Sequence, residues 1–320
     1  MNKKRKAAIA ACEISEVVTC SLGGYEQKIL IEGKSKKNPV VIFIHGGPGA
    51  SLPFSVGSRG MFPEFTERLI LVTWDQLGCG INRFPIDETF TIKIFTDMTI
   101  DLIRAVKKKY PENSINLFGA SYGSVLAARA AVQVPELLDH VIIYGQVIKN
   151  LAVNGDTCRA LEQSSIPPKL KLELKRIQNN KNYTPEDMLK IMTWVQKYTE
   201  GYVSKTGGKT PIASLLWGMF TSPDYSLKDF KAILFNPYAK NRALMRELAN
   251  IDITETLKNI QIPYLILQGS KDIVTPTETV SAFMSENQNE KLYFSVVADS
   301  AHMPSNTGLS MILENIMNFV

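Results

Sequence analysis

Apolar positions in the first half of the chain fall in short unbroken runs, set apart by glycine-rich turns and one amphipathic stretch. Residues 40–44, Val-Val-Ile-Phe-Ile, contain no polar member. A run this short and this uniform predicts a strand buried on both faces, as in a parallel sheet. Residues 68–74, 115–118 and 141–144 are similar. Ahead of them, 13–19 and 25–31 flank Ser21-Leu22-Gly23-Gly24 and predict a hairpin. Leu102, Ile103, Val106 and Tyr110 recur at helical spacing. Thr96 is the expected N-cap of that helix, Lys107, Lys108 and Lys109 suit its negative C-terminal end, and Pro111 stops it. The alanine-rich stretch 122–132 predicts a helix packed closely on a sheet.

The alternation of strand and helix breaks at about residue 148. Up to about 258 the patterns are helical, at 169–177, 186–198, 227–233 and 243–248, with proline and glycine between them. After Pro263 the alternation returns: strand 264–267, helix 277–284, strand 292–297. A last helix carries the stripe Leu309, Ile312, Ile316 and Phe319. The fold class expected is α/β, a mostly parallel twisted sheet with helices on both faces. Its core comprises residues 1–147 and 259–320, and 148–258 is an inserted helical cap. Such an insertion covers the sheet edge where strands end and helices begin, which is where open α/β sheets bind ligands. Trp194, Tyr198, Tyr202, Trp217, Phe220 and Tyr225 supply it with aromatic surface.

Composition narrows the class. With 320 residues, 45% hydrophobic and 21% charged, the chain suits a globular protein with a large core. No apolar run approaches the roughly 18–20 residues of a membrane span. The net charge of +5 sits partly in Lys3-Lys4-Arg5-Lys6 and does not point to nucleic acid. Cys12, Cys20, Cys79 and Cys158 are few and scattered, so free thiols in a reducing compartment are expected. The basic run, the short apolar stretch 7–11 and Cys12 superficially resemble a lipoprotein signal. That stretch is too short and Glu13 closes it, so a solvated basic tail and a cytoplasmic location are expected. Export as a lipoprotein through Cys12 is the alternative.

Gly119-Ala120-Ser121-Tyr122-Gly123 fits G-x-S-x-G, with a predicted strand before it and a small-residue helix after it. A sharp strand-to-helix turn there pushes the Ser121 hydroxyl out at the sheet edge and aims a helix N-terminus at developing negative charge. A serine hydroxyl needs a base. Of three histidines, His140 begins a strand at the opposite edge, and His45 opens a glycine loop ahead of Ser121. His302 follows the last strand, where a loop can reach over Ser121. The imidazole in turn needs an anion behind it. Asp272, directly after a strand, is the best placed, and Asp299 is the competing acid.

The order Ser121, Asp272, His302 around such an elbow resembles that of the α/β-hydrolases. The loop His45-Gly46-Gly47-Pro48-Gly49 then gains a role, since acyl transfer needs two N–H groups for the carbonyl oxygen. Gly47 and Tyr122 are the expected donors, each worth about 3–4 kcal/mol in the transition state. The glycine loop, Trp74-Asp75-Gln76-Leu77-Gly78-Cys79-Gly80 and the elbow together resemble the proline iminopeptidase branch, a set of serine aminopeptidases and relatives. That resemblance implies a Ser121–Asp272–His302 triad and a cap that selects substrate. Leu77 stands where the branch has arginine, Tyr122 where it has tryptophan, and the W-x-x-W-E segment is missing. In that branch, cap acids hold the substrate's amino group. Glu162, Glu173, Glu200 and Glu247 are the candidates here, with Glu247 favoured by its apolar neighbours Leu244 and Leu248.

The leading functional expectation is therefore a serine hydrolase of aminopeptidase type acting on short peptides or amides. A small-molecule esterase or lactonase with the same residues is the alternative. A ligand-binding fold without turnover is a third, from another class. No cofactor or metal is implied, the partner is a small-molecule or short peptide substrate, and the oligomeric state is open.

Overall fold

The computed structural model describes residues 3–208, 212–234 and 237–320. The strands are β1 (Ile14–Leu22), β2 (Tyr25–Gly33), β3 (Val40–Ile44), β4 (Ile70–Trp74), β5 (Ile115–Ala120), β6 (His140–Tyr144), β7 (Tyr264–Gly269) and β8 (Leu292–Val297). They form one sheet in the order β1-β2-β4-β3-β5-β6-β7-β8. β1 and β2 pair antiparallel across a turn at Gly23-Gly24, and β2 pairs antiparallel with β4. From β4 to β8 every neighbour is parallel.

The unbroken apolar runs arise because both faces of the sheet are covered. Ile42, Ile44, Ile143 and Ile266 pack on one side with the helices Ile92–Lys109 and Tyr122–Gln133. Val41, Phe43, Ile142, Leu265 and Leu267 pack on the other with Ile312 and Ile316 of the last helix, Asn306–Phe319. All five residues of β3 are buried. Each such aliphatic side chain contributes about 1.5–3 kcal/mol by leaving water. Ala127, Ala128, Ala130 and Ala131 are fully buried, and their small size brings the Tyr122–Gln133 helix close to the strands.

Two expectations need correction. The helix expected to begin at Thr96 starts a turn earlier, at Ile92. Its first N–H groups would be orphans, and a carboxylate from far along the chain meets one of them. Glu247 Oε2 accepts from the Ile92 N–H at 2.8 Å, while Thr96 sits inside the helix and donates to the Ile92 carbonyl. The basic N-terminus is not a solvated tail. Residues Lys3–Ala10 form a helix whose Arg5 is only 6% exposed. The Arg5 guanidinium donates to the carbonyls of Arg59 (2.5 Å), Gly218 (2.6 Å) and Gly57 (2.8 Å). A buried cation persists there because three main-chain acceptors surround it.

Between β6 and β7 the chain is largely helical. Pro168–Gln178, Pro185–Tyr198, Leu227–Leu234 and Arg242–Ala249 match the pattern-based expectations. Gly155–Gln163 and Ile212–Phe220 were not anticipated. The second of these, IASLLWGMF, is apolar nearly all round, so it shows no periodicity to read. The four cysteines are free. No helix of the described residues is long and apolar enough to cross a membrane.

Arg5 ties the N-terminal helix to both a core loop and the insertion. Arg5→Ala leaves three carbonyls short of a charged donor and should cost about 2–4 kcal/mol. Urea unfolding with an unchanged m-value would record it; a loss below about 0.5 kcal/mol would mean that the helix is not anchored by this residue.

Candidate active site

Because β3 and β5 to β8 run parallel, the loops after their C-terminal ends share one edge. His45–Gly49 follow β3, Ser121 follows β5, Asp272 follows β7 and His302 follows β8. β3 and β5 are neighbours although β4 comes between them in the chain, so the site opens at a topological switch point.

Ser121 has φ 51° and ψ −120°, a sparsely populated conformation for a residue with a Cβ. Its N–H is tied to the Tyr144 carbonyl at 3.0 Å, and its carbonyl accepts from Ser124. The turn closes because position 123 is glycine: a Cβ there would collide with the Ile44 carbonyl oxygen. Tyr122 opens the following helix, so its N–H has no partner within that helix.

His302 Nε2 lies 2.9 Å from Ser121 Oγ, and Nδ1 lies 2.9 Å from Asp272 Oδ2. Asp272 is 1% exposed. Its Oδ1 accepts the N–H groups of Val274 (2.8 Å) and Thr275 (3.0 Å), and its Oδ2 also takes the Thr275 hydroxyl (2.8 Å) and Gln268 Nε2 (3.2 Å). These donors satisfy both carboxylate oxygens in the buried site and fix their orientation towards His302. The competing acid is elsewhere: Asp299 is exposed and accepts from the Thr206 hydroxyl. The ring of Tyr202 lies 5.9 Å from that of His302. The main chain beside it is bonded too, His302 N–H to the Gly201 carbonyl (3.1 Å) and Met303 N–H to that of Tyr202 (2.8 Å). The insertion is thus stitched to the histidine loop.

The glycine loop is shaped by His45, which is fully buried. Its Nε2 accepts the Gln76 N–H at 3.0 Å, so the ring proton is on Nδ1, which donates to the Gly46 carbonyl at 2.9 Å. Gln76 returns a bond to the His45 carbonyl. Gly46 packs so closely that a Cβ would sit 2.9 Å from the Ala120 carbonyl oxygen. Gly47 adopts φ 117° and lines the same cavity as Ser121. Burial lowers the His45 pKa to about 4, so the ring is neutral. His140 stands at the opposite edge and pairs with Asn116.

Pattern alone did not reveal the supports. Thr275 and Gln268 around Asp272 are ordinary polar residues in sequence; Gln76, in the segment that carries the resemblance, and Tyr202, among the aromatic residues of the insertion, stand out there without their roles on His45 and beside His302. The D-x-x-T spacing of Asp272 and Thr275 is the one local signal that could have marked such a support. Asp75 belongs to this set. Fully buried, it accepts from the N–H groups of Val56 and Ile81 and from the Tyr225 hydroxyl of the insertion. Burial pushes its pKa up to about 6. Leu77, standing where arginine was expected, offers its carbonyl to the Tyr238 hydroxyl.

A cavity of about 260 Å³ adjoins Ser121 and His302. Phe43, Phe54, Phe65 and Phe118 line it from the core side. Leu151, Met192, Tyr202 and Ile212 line it from the insertion. No carboxylate lines it among the described residues, and residues 209–211 and 235–236 include no acid. The four candidate glutamates are elsewhere. Glu247 caps the Ile92 N–H, Glu173 pairs with Lys190, Glu200 pairs with Lys271, and Glu162 is not among the residues that line the cavity. A larger open depression of about 650 Å³, at the edge where the parallel strands begin, holds none of these groups.

Residues 39–210 match the model of the α/β hydrolase fold family. That span is more than half the chain, and the protein belongs to this family; it is a hydrolase. A probable aminopeptidase of Bacillus subtilis, YbaC, is 23% identical over 288 residues, covering 89% of each chain. A proline iminopeptidase of Heyndrickxia coagulans is 25% identical, covering 82% of this chain and 84% of its own. The crystal structure of a Mycobacterium smegmatis proline iminopeptidase superposes with a TM-score of 0.64 at 17% identity, over 95% of this chain and 97% of that one. At that identity the likeness is one of fold.

Two outcomes test the site's construction. The Tyr122 hydroxyl is buried without a partner among the described residues. Tyr122→Phe should therefore keep kcat within about twofold and raise stability by about 1 kcal/mol; a marked loss of either would give the hydroxyl a role. His45 carries a pH signature. Its folded pKa lies below the ordinary 6.5, so the unfolded chain takes up the proton first as pH falls. The stabilisation is full above pH 6.5 and is lost progressively towards about 4, by about 3 kcal/mol. Asp75 has the opposite sign over a similar range: its raised pKa adds stability at low pH that is lost as pH rises through about 6. Comparing the parent with His45→Gln cancels that contribution. The stability advantage of the parent should shrink from pH 7 to pH 4, and a constant difference would contradict a neutral buried ring.

Proposed function

We propose that the protein is a serine hydrolase that cleaves neutral substrates with an apolar acyl group, an esterase by preference, through Ser121, His302 and Asp272. Residues 148–258 act as its cap. The observation that carries this reading is the cavity beside Ser121, walled by phenylalanines and by apolar cap residues with no carboxylate among the described residues. An ammonium group entering it would lose its hydration and find no anion, at a cost of several kcal/mol.

In this mechanism His302 Nε2 takes the Ser121 proton as Oγ attacks the substrate carbonyl carbon. Asp272 fixes the Nδ1–H tautomer and stabilises the imidazolium. The carbonyl π electrons move to oxygen, which the N–H groups of Gly47 and Tyr122 receive. His302 passes the proton to the departing alkoxide or amine, leaving an acyl-Ser121. Water, deprotonated by the same nitrogen, then releases the acid. The strained turn at Ser121 presents Oγ without a rotamer search.

A second reading, an aminopeptidase on short peptides, is favoured by the names of the relatives that cover most of the chain. It requires an acid that reaches the cavity when substrate binds. A substrate panel separates the two. Short-chain and medium-chain aryl esters should be cleaved with kcat/KM well above that for prolyl and other aminoacyl arylamides; the reverse order would establish the aminopeptidase.

The nucleophile is tested independently. A fluorophosphonate should label Ser121 at one equivalent, and Ser121→Ala should abolish labelling. His302→Ala should lower kcat by about 10⁴–10⁶, Asp272→Ala somewhat less, and Asp299→Ala by no more than about twofold. Labelling at another serine, or a larger loss from Asp299→Ala than from Asp272→Ala, would overturn the assignment.

A further inference from the structure

Two helices of the insertion expose an apolar face that the acyl chemistry does not use. On Ile212–Phe220, Trp217 is 66% exposed and Phe220 44%. On Leu227–Leu234, Leu227 is 65% exposed and Leu234 50%. Isolated surface apolar residues are ordinary, but these adjoin one another. The Trp217 and Phe220 rings are 5.6 Å apart, and Phe220 meets Phe230 of the second helix at 5.4 Å. Leu227, Phe230 and Leu234, at spacings of three and four, share one helix face.

Lysines border this face. Lys231 falls by helical spacing between Leu227 and Leu234, Lys228 lies beside it, and both are exposed. The basic N-terminal helix lies against Ile212–Phe220, since Arg5 donates to the Gly218 carbonyl. Its Lys3, Lys4 and Lys6 are exposed. The only acids between residues 201 and 240 are Asp224 and Asp229. Each is neutralised by an arginine from the core, Arg59 at 2.8 Å and Arg83 at 2.6 Å.

We propose that this face docks on an anionic phospholipid surface. Lysines around an aromatic and aliphatic patch match the chemistry of an interfacial helix: ammonium groups reach lipid phosphates while tryptophan and leucine enter the boundary with the acyl chains. Docking would bring lipid within one helix of the reactive serine, because Ile212, at the start of the exposed helix, lines the cavity beside Ser121. The proposal stands apart from the assignment of the nucleophile, since its test reads binding alone.

The test uses the full chain with phosphatidylcholine vesicles, with and without phosphatidylglycerol, at low and high salt. Trp217 is the exposed member of three tryptophans, Trp74 and Trp194 being buried, so a blue shift of emission on vesicles reports its insertion. Binding should require phosphatidylglycerol, weaken with salt, and shift the emission. Leu227→Ser and the double variant Lys228→Glu/Lys231→Glu change exposed positions. Each should weaken binding by about tenfold or more with an unchanged thermal unfolding midpoint. Three results would overturn the proposal: no binding to phosphatidylglycerol vesicles, binding that both variants leave intact, or a solution dimer that Leu227→Ser dissociates, which would assign the face to a second copy.

Discussion

The site depends on one backbone constraint, the positive φ of Ser121. A serine does not rest there unless its surroundings hold it. They do so by closeness: Gly123 under the Ile44 carbonyl, Gly46 against the Ala120 carbonyl, and the Ser121 N–H committed to Tyr144. Each contact holds the turn or the helix after it against the end of a neighbouring strand or its loop, so the sheet edge maintains the turn. The alanine-rich helix behind it permits that approach, and both faces of the sheet are covered as a result.

Around this point the polar groups are arranged as supports that differ in kind. The Asp272 carboxylate is held by main-chain and side-chain donors from its own loop and strand. His45 is held by the absence of charge, a neutral ring that accepts on one nitrogen and donates on the other. Asp75 joins the core to the insertion through Tyr225. Burial acts on these two groups in opposite directions, lowering the pKa of the base and raising that of the acid. In both cases the neutral form is the one favoured in the interior.

What could be read from the chain follows from which forces are local. The runs that became β3, β5, β6 and β7 were legible because burial on both faces leaves no polar residue in them. The elbow, His302 and Asp272 were legible because their residue types and order are tied to strand ends, and the structure brings all three within hydrogen-bonding distance. The start of the Ile92–Lys109 helix was not, because Glu247 meets its first N–H from 155 positions away. The N-terminal helix was misread because its lysines are solvated while the one arginine among them is buried on distant carbonyls. Favouring Glu247 as an amine ligand failed for the same reason: its apolar neighbours mark a packed helix, not the direction of its carboxylate.

The main-chain bonds from His302 and Met303 to the Gly201 and Tyr202 carbonyls tie the insertion to the loop that carries the histidine. In the mechanism proposed above, a cap that moved away to admit a molecule would pull on the residue assigned the proton transfer. The chain would then alternate between a receptive form and a competent one, never being both. Water that reached the serine through an open roof would meet a base already out of register, so a half-entered ligand would be spared hydrolysis until the two loops zipped together again.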